Sequence, residues 1–441
     1  MIDEELIFTR TNALHIAILY VSSMTVGYCL EYFVGIPNLL GSLLTGIILR
    51  NCGVFEDFDL PDKFTSAVRA MSLSWILLVS GIEMDISKVG SLSLRLMLFP
   101  GVVEAFSTAG MAMLLFNMPF ALSLSQGFIL AAVSPAIIIP YMIELRKKGV
   151  GGSCIPSLLM SAASLDDIIA ISGFSVCIGI ALDSSDKNLA LSLFVHGPVS
   201  LFLGALIGSV GGFILAAITQ VSASWQSTLI ALEIALLMTH FCEMINFDAS
   251  EALAALSMGA VANIICKHPK VFKVSKCSCT DTIQMYKVGK DIGVIWNIAM
   301  RPLLFGTIGA AFDLDLTRKD ELFKGTAIVL SGLAMRVATA YFATSGSALS
   351  FKERLFVAFA WIPKATVQAA LCSIPLTMIL KSNKPEMISW GNQIVFTSVL
   401  SVLISAPIGV LAIQCLSNRL LTRGDHEKAI SPRSIGTSRS P

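Results

Sequence analysis

The chain has 441 residues, 55% of them hydrophobic and 14% charged, with a mean hydropathy of +0.77, whereas soluble domains carry about 25% charged residues. Apolar runs of roughly 20 residues, long enough to cross about 30 Å of hydrocarbon, recur from Thr11 to Leu416, which makes it a polytopic membrane protein and excludes an ordinary soluble enzyme. Lys+Arg 31 against Asp+Glu 30 leaves a net charge of +1, so neither a basic field for nucleic acid nor an acidic solvating tail is present.

The first residues, MIDEELIFTR, are acidic where a secretory or transit peptide needs positive charge, so no cleavable leader is expected. Thirteen spans then follow, at 12–33, 36–50, 67–83, 92–117, 121–144, 154–183, 189–220, 226–245, 250–266, 291–312, 324–345, 351–379 and 389–417. They are too long and too continuously apolar for barrel strands of about ten alternating residues, and backbone satisfaction in lipid leaves helices as the other choice. Residues 1–11 form a polar N-terminal segment, 12–417 one membrane domain, and 418–441 a Ser-, Pro- and Arg-rich tail with the composition of a disordered segment.

A charge at mid-bilayer costs about 2.5 to 3.5 kcal/mol on insertion scales, so each one marks a cavity, a partner or a pathway. In the fourth span Glu104 sits in PGVVEA. The fifth span is interrupted in AAVSPAIIIP, where Pro135 and Pro140 each remove a helical hydrogen bond and Ser134 precedes the first of them. Halfway along the sixth span lie two adjacent carboxylates, Asp166 and Asp167, with Ala162 and Ala170 one turn either side of Asp166. Adjacent helical residues diverge by about 100°, so the two cannot point the same way, yet both can border one cavity.

Farther along, Gly204-x3-Gly208 with Gly211 and Gly212 in the seventh span is a close-packing or hinge signature. Glu233 in the eighth span and Arg301, before Pro302 in the tenth, are intramembrane charges that are as readily structural as functional, and Cys277-x-Cys279 with His268 lacks the second cysteine pair of a zinc site and is read as loop. Arg336 lies deep in the eleventh span and cannot lose its proton. The twelfth span repeats the interruption of the fifth in FAWIPKAT, where Pro363 is followed directly by Lys364 and, two residues on, Thr366. Broken helices in corresponding positions of two halves point to a midplane transport site in an inverted-repeat transporter. Charge and depth pair Arg336 with Asp166 or another core carboxylate, and Glu104 with Lys364; the alternative is that these pairs only hold crossed helices together.

Of the Lys and Arg residues in the connecting segments and at the span ends, 18 fall on the side of the C-terminus and 10 on the other, which places the C-terminus in the cytoplasm and, with an odd number of spans, the N-terminus outside. Six lysines between Lys267 and Lys290 would also suit anionic lipid.

Two close carboxylates repel each other's ionised form, so the pair suits protons at one time and a hard cation, Na+ or Li+, at another. Facing carboxylates from different helices, as an intramembrane protease would need, are not the pattern here. The residues resemble the NhaA-like cation/proton antiporter superfamily with a paired aspartate motif, and within it the animal sodium/hydrogen exchanger domain-containing, or mitochondrial-type, group. The resemblance rests on AAVSPAIIIP (131–140), PSLLMSAASLDDIIAISGF (156–174), RPLLFGTIGA (301–310) and FAWIPKATVQAAL (359–371), and runs from about Leu39 to Leu416.

The resemblance implies two inverted repeats with two broken crossing helices, arranged as a dimerisation domain and a mobile core domain in a homodimer. It implies that Asp166 and Asp167 bind the cation and protons. Arg336 stands where bacterial relatives carry a lysine, and Glu104 and Lys364 match a charged pair of the animal group. Ser134, Pro135, Pro363 and Thr366 line the site. Arg301 departs from the group's pattern, and the extra N-terminal helix of some members is not expected here. The implied activity is alternating-access exchange of Na+ or Li+ for H+, with K+/H+ exchange or a non-transporting ion-sensing role as alternatives. No enzyme activity and no cofactor beyond the transported ions are expected; the plasma membrane is the first expectation, with endosomal or mitochondrial membranes as alternatives.

Overall fold

Helix boundaries follow elementary stop and start signals. Pro37, Pro61 and Pro119 each stand immediately before a helix, where a missing N–H costs nothing. Asn117 ends another by entering the left-handed region at φ 50°, and Ser350 and Glu353 form a capping box. The computed structural model describes residues 10–35, 37–52, 60–84, 90–151, 154–182, 197–220, 222–244, 248–267, 279–312, 319–382 and 384–421. The helices are α1 (Arg10–Val34), α2 (Asn38–Asn51), α3 (Asp62–Glu83), α4 (Ser91–Phe116), α5 (Phe120–Ala131), α6 (Pro135–Lys147), α7 (Cys154–Leu182), α8 (Gly197–Thr219), α9 (Ser224–Met244) and α10 (Asp248–Lys267). There follow α11 (Cys279–Ile295), a π turn (Trp296–Met300), α12 (Arg301–Ala310), α13 (Lys319–Ala343), α14 (Phe351–Ala360), α15 (Thr366–Leu371), α16 (Ile374–Lys381) and α17 (Ile388–Leu420).

The helices sort into two packed groups. One joins α1 to α2, α2 to α12, α3 to α10 and α11, and α10 to α8 and α9. The other joins α4 to α5, α7 and α13, α6 to α7, and α13 and α14 to α17. Within the second group one motif occurs twice: a long helix (α4, α13), a broken helix (α5/α6, α14/α15), and another long helix (α7, α17). The groups meet where α7 and α15 pack on α3, α7 on α10, and α15 on α12. A small apolar pocket at this seam is lined by Leu77 of α3, Ile168 and Ile171 of α7, and Leu256 of α10.

Ten helical segments among the described residues are long and apolar enough to span a bilayer. The three remaining sequence spans are α2, only 14 residues long, α10, whose 20 residues include Asp248, Glu251 and Lys267, and 351–379, which is broken into short helices. The structure therefore does not establish thirteen full crossings. Two further expectations change. Residues 279–290 are helical, so the stretch from Lys267 to Lys290 is not all loop and Cys279 opens α11; Cys277 and His268 lie outside the described residues. Pro140 sits inside α6, which continues to Lys147, so only Pro135 breaks that span. The tail from 422 onward and residues 1–9 lie outside the described residues. Gly204, Gly208 and Gly212 of the seventh span lie against the α10 backbone, the packing reading of that stripe.

Candidate functional site

The site is built from two helix breaks. Pro135 disfavours helical geometry at the residue before it, and Ser134 is accordingly extended (φ −89°, ψ 106°), as is Ala132 (φ −67°, ψ 136°). In the second broken span, α14 stops at Ala360 and Trp361–Ala365 run irregularly past Pro363 before α15 begins at Thr366. The breaks touch directly: the Ser134 N–H donates to the Pro363 carbonyl at 2.9 Å.

A helix leaves its last four carbonyls without intrahelical partners, and burial demands that they find others. At the end of α5 all four do. Gln368 Nε2 donates to the Ile129 carbonyl at 2.9 Å and to Ala132 at 2.8 Å, Lys364 Nζ donates to Leu130, and Arg336 Nη1 to Ala131. Arg336 Nε also donates to the Trp361 carbonyl past the end of α14, at 2.8 Å. Both cations thus sit at helix C-termini, where the helix dipole favours positive charge.

The charges converge on the same point. Arg336 Nη1 meets Glu104 Oε2 at 2.6 Å, Arg336 Nη2 meets Asp166 Oδ2 at 2.9 Å, and Lys364 Nζ pairs with Glu104 Oε1. The Val133 N–H, freed by the break, donates to Asp166 Oδ2 at 2.9 Å. Exposures of 0% for Arg336, 1% for Glu104, Lys364 and Asp167, and 2% for Asp166 put all five away from solvent, where an unpaired ion pays several kcal/mol even after relaxation. Two glycines let the helices close on this cluster. A Cβ on Gly101 of α4 would stand 3.1 Å from Asp166 Oδ1, and one on Gly332 of α13 would stand 3.2 Å from Glu104 Oε1.

Asp167 is different. It forms no ion pair with any described residue, and its buried Oδ1 has no hydrogen-bond partner among them. The buried hydroxyls of Ser134 and Thr366, at the starts of α6 and α15, and the Gln368 Oε1 are likewise unpartnered. Sequence reasoning paired Glu104 with Lys364 and Arg336 with Asp166, and both contacts are present; it did not foresee that Arg336 bridges both carboxylates.

The transmembrane sodium/hydrogen exchanger family profile matches residues 20–418. The chain belongs to that family. Among its relatives, human sodium/hydrogen exchanger 9B2 is 32% identical over 400 residues, covering 89% of this chain and 71% of that protein. Human sodium/hydrogen exchanger 9B1 is 29% identical over 400 residues, covering 88% and 73%. The solved structure of the sodium proton antiporter MjNhaP1 from Methanocaldococcus jannaschii superposes with a TM-score of 0.73 at 19% identity, covering 93% of this chain and 98% of that one, which shows a shared fold.

Within this exchanger-family chain, Arg301 stands apart from the buried cluster. It is half-buried on α12 beside Glu31 and Tyr28 of α1, its Nε has no partner among the described residues, and Tyr20 of α1 donates its hydroxyl to Ile298 of the adjoining π turn at 3.1 Å. The residue that sequence reasoning missed is Gln368. Its signal was position: four residues beyond Lys364, in the same FAWIPKATVQAAL stretch.

Proposed function

We propose that this protein is a secondary-active antiporter that exchanges Na+ or Li+ for H+ by alternating access, with Asp167 as the group that changes occupant. One observation carries the reading: the buried cluster holds three carboxylates against two cations, and Asp167 is the one carboxylate without a counter-ion. Asp166 and Glu104 are neutralised by Arg336 and Lys364. Asp167 is tolerable in a buried site only when it holds a proton or a cation, since an ionised carboxylate there is uncompensated. Either occupant brings the cluster to zero, and one cannot bind until the other leaves, which couples the two fluxes without covalent chemistry. One charge in against one charge out makes the cycle electroneutral.

A monovalent cation at Asp167 would draw on neutral oxygens as well, for which the unpartnered hydroxyls of Ser134 and Thr366 are the candidates. Pro135 and Pro363 shape this lining by holding both breaks open. Access alternates as the group containing α7 shifts against α3 and α10, across a seam that Ile168 and Ile171 make apolar just beyond Asp167. Assembly as a homodimer, a cytoplasmic C-terminus and placement in the plasma membrane complete the reading, the orientation resting on the Lys/Arg distribution.

The test is proton efflux from liposomes containing purified protein and a luminal pH dye, with Na+, Li+ or K+ added in turn. Na+ or Li+ drives a signal that Asp167→Asn abolishes. A signal retained by Asp167→Asn contradicts the assignment, and a response to K+ alone moves the substrate to K+.

A further inference from the structure

Lys364 and Arg336 account for two of the four terminal carbonyls of α5; the other two, Ile129 and Ala132, belong to one uncharged side chain. Gln368 spends both N–H bonds of its carboxamide on them, at 2.9 and 2.8 Å, from the first turns of α15. Those two carbonyls bracket the pair taken by Lys364 and Arg336, and Ala132 immediately precedes Val133, whose N–H holds Asp166.

We infer that Gln368 is a positioning residue for exchange: it fixes the unwound end of α5 so that the Val133 N–H meets Asp166 and the neighbouring Asp167 keeps its place beside the break. With both Gln368 N–H groups removed, two buried carbonyls have no partner, which a helix end relieves by tightening or unwinding a turn. Either relaxation rotates the Ala132–Val133 peptide and carries the Val133 N–H away from Asp166 Oδ2. Because Gln368 sits on the second broken span and its acceptors on the first, the same carboxamide sets the crossing of the two breaks, together with the Ser134 to Pro363 backbone bond.

A comparison residue is available. Gln126, a residue of α5 itself, is also a fully buried carboxamide, but it donates to Thr397 of α17 at 2.6 Å and caps no carbonyl of the break. Loss of Gln126 therefore removes a buried hydrogen bond of similar kind without releasing Val133.

The inference rests on the exchange reading for its transport consequence, and the test separates the two. Gln368→Met, Gln368→His and Gln126→Met are compared with the unaltered chain in liposome flux and in hydrogen–deuterium exchange of peptides covering residues 129–138. Gln368→Met raises the Na+ concentration for half-maximal flux about tenfold, as expected for orphaned buried carbonyls, while the maximal rate per folded protein changes much less. The Val133 and Ser134 amides lose protection in Gln368→Met and keep it in Gln126→Met, whose half-maximal concentration is unchanged. Gln368→His retains one donor and falls between; if Gln368→Met yields no folded protein, Gln368→His alone must show the raised half-maximal concentration and partial loss of protection. Unchanged protection at 129–138 in Gln368→Met, or in Gln368→His where that is the only folded variant, overturns the inference. So does an equal effect of Gln126→Met. Absent flux from the unaltered chain refutes the exchange reading instead, and amide protection still decides the role of Gln368.

Discussion

Substituting Asn at each of the two adjacent aspartates gives opposite results if their environments differ as described. Asp166→Asn keeps shape but leaves Arg336 with Glu104 as its remaining carboxylate and weakens the bond from Val133. Breaking one partner of a buried ion pair costs about 3 to 5 kcal/mol, and because Glu104 remains, the lower end applies. At about 2 °C per kcal/mol for a large chain, Asp166→Asn lowers the melting temperature by about 6 °C. Asp167→Asn removes no partner and replaces a carboxyl that must hold a proton or a cation by a permanently neutral amide, so its melting temperature holds or rises by about 1 to 2 °C on the same scale. Sodium gives a second readout, since ligand at about 100 times its Kd stabilises by about 2.7 kcal/mol; this shift is present in the unaltered chain, reduced in Asp166→Asn and absent in Asp167→Asn. The assay is thermal unfolding of purified protein followed by tryptophan fluorescence, with NaCl replaced by choline chloride as control. Equal losses at the two positions, or a larger loss at Asp167, would refute the division of roles.

Glu104 lies between Arg336 and Lys364, so Glu104→Gln and Lys364→Met each leave a buried charge uncompensated and cost about 3 kcal/mol, whereas the double variant restores the net balance. A double-mutant cycle on melting temperatures is expected to show a coupling of about 2 kcal/mol; strict additivity would contradict the geometry. Gly101→Ala places a methyl against Asp166 Oδ1, and α4 must give by a few tenths of an ångström. The expected result is a loss of about 1 kcal/mol with a weakened Na+ dependence of flux, checked against Gly110→Ala on the same helix, where a Cβ meets open space.

Much of this was legible in the sequence because membrane charge is expensive. Glu104, Asp166, Asp167, Arg336 and Lys364 each stand out from an apolar run, and the two proline breaks point to where they meet. The contacts between charges were partly legible, since only opposite signs at similar depth can pair; that one arginine reaches two carboxylates and two carbonyls depends on its length and on helix crossing, which no linear pattern states. Gln368 was hidden because its partners are backbone carbonyls, and nothing in their side chains advertises that they are free. Pro140 misled for the converse reason: a proline signals a lost hydrogen bond, but α6 continues through it. The count of thirteen crossings was not settled by hydropathy, which marks α2 as apolar without showing that it has 14 residues, about 21 Å of helix against roughly 30 Å of hydrocarbon.

Competition between a proton and a cation at one carboxylate is measured most directly by proton release on Na+ binding. Purified protein in weakly buffered detergent solution, at a pH where Asp167 holds its proton, is titrated with NaCl while a pH indicator is read. The account expects about one proton released per Na+ bound and no release from Asp167→Asn. Sodium binding to the unaltered chain without proton release, or undiminished release from Asp167→Asn, would contradict it.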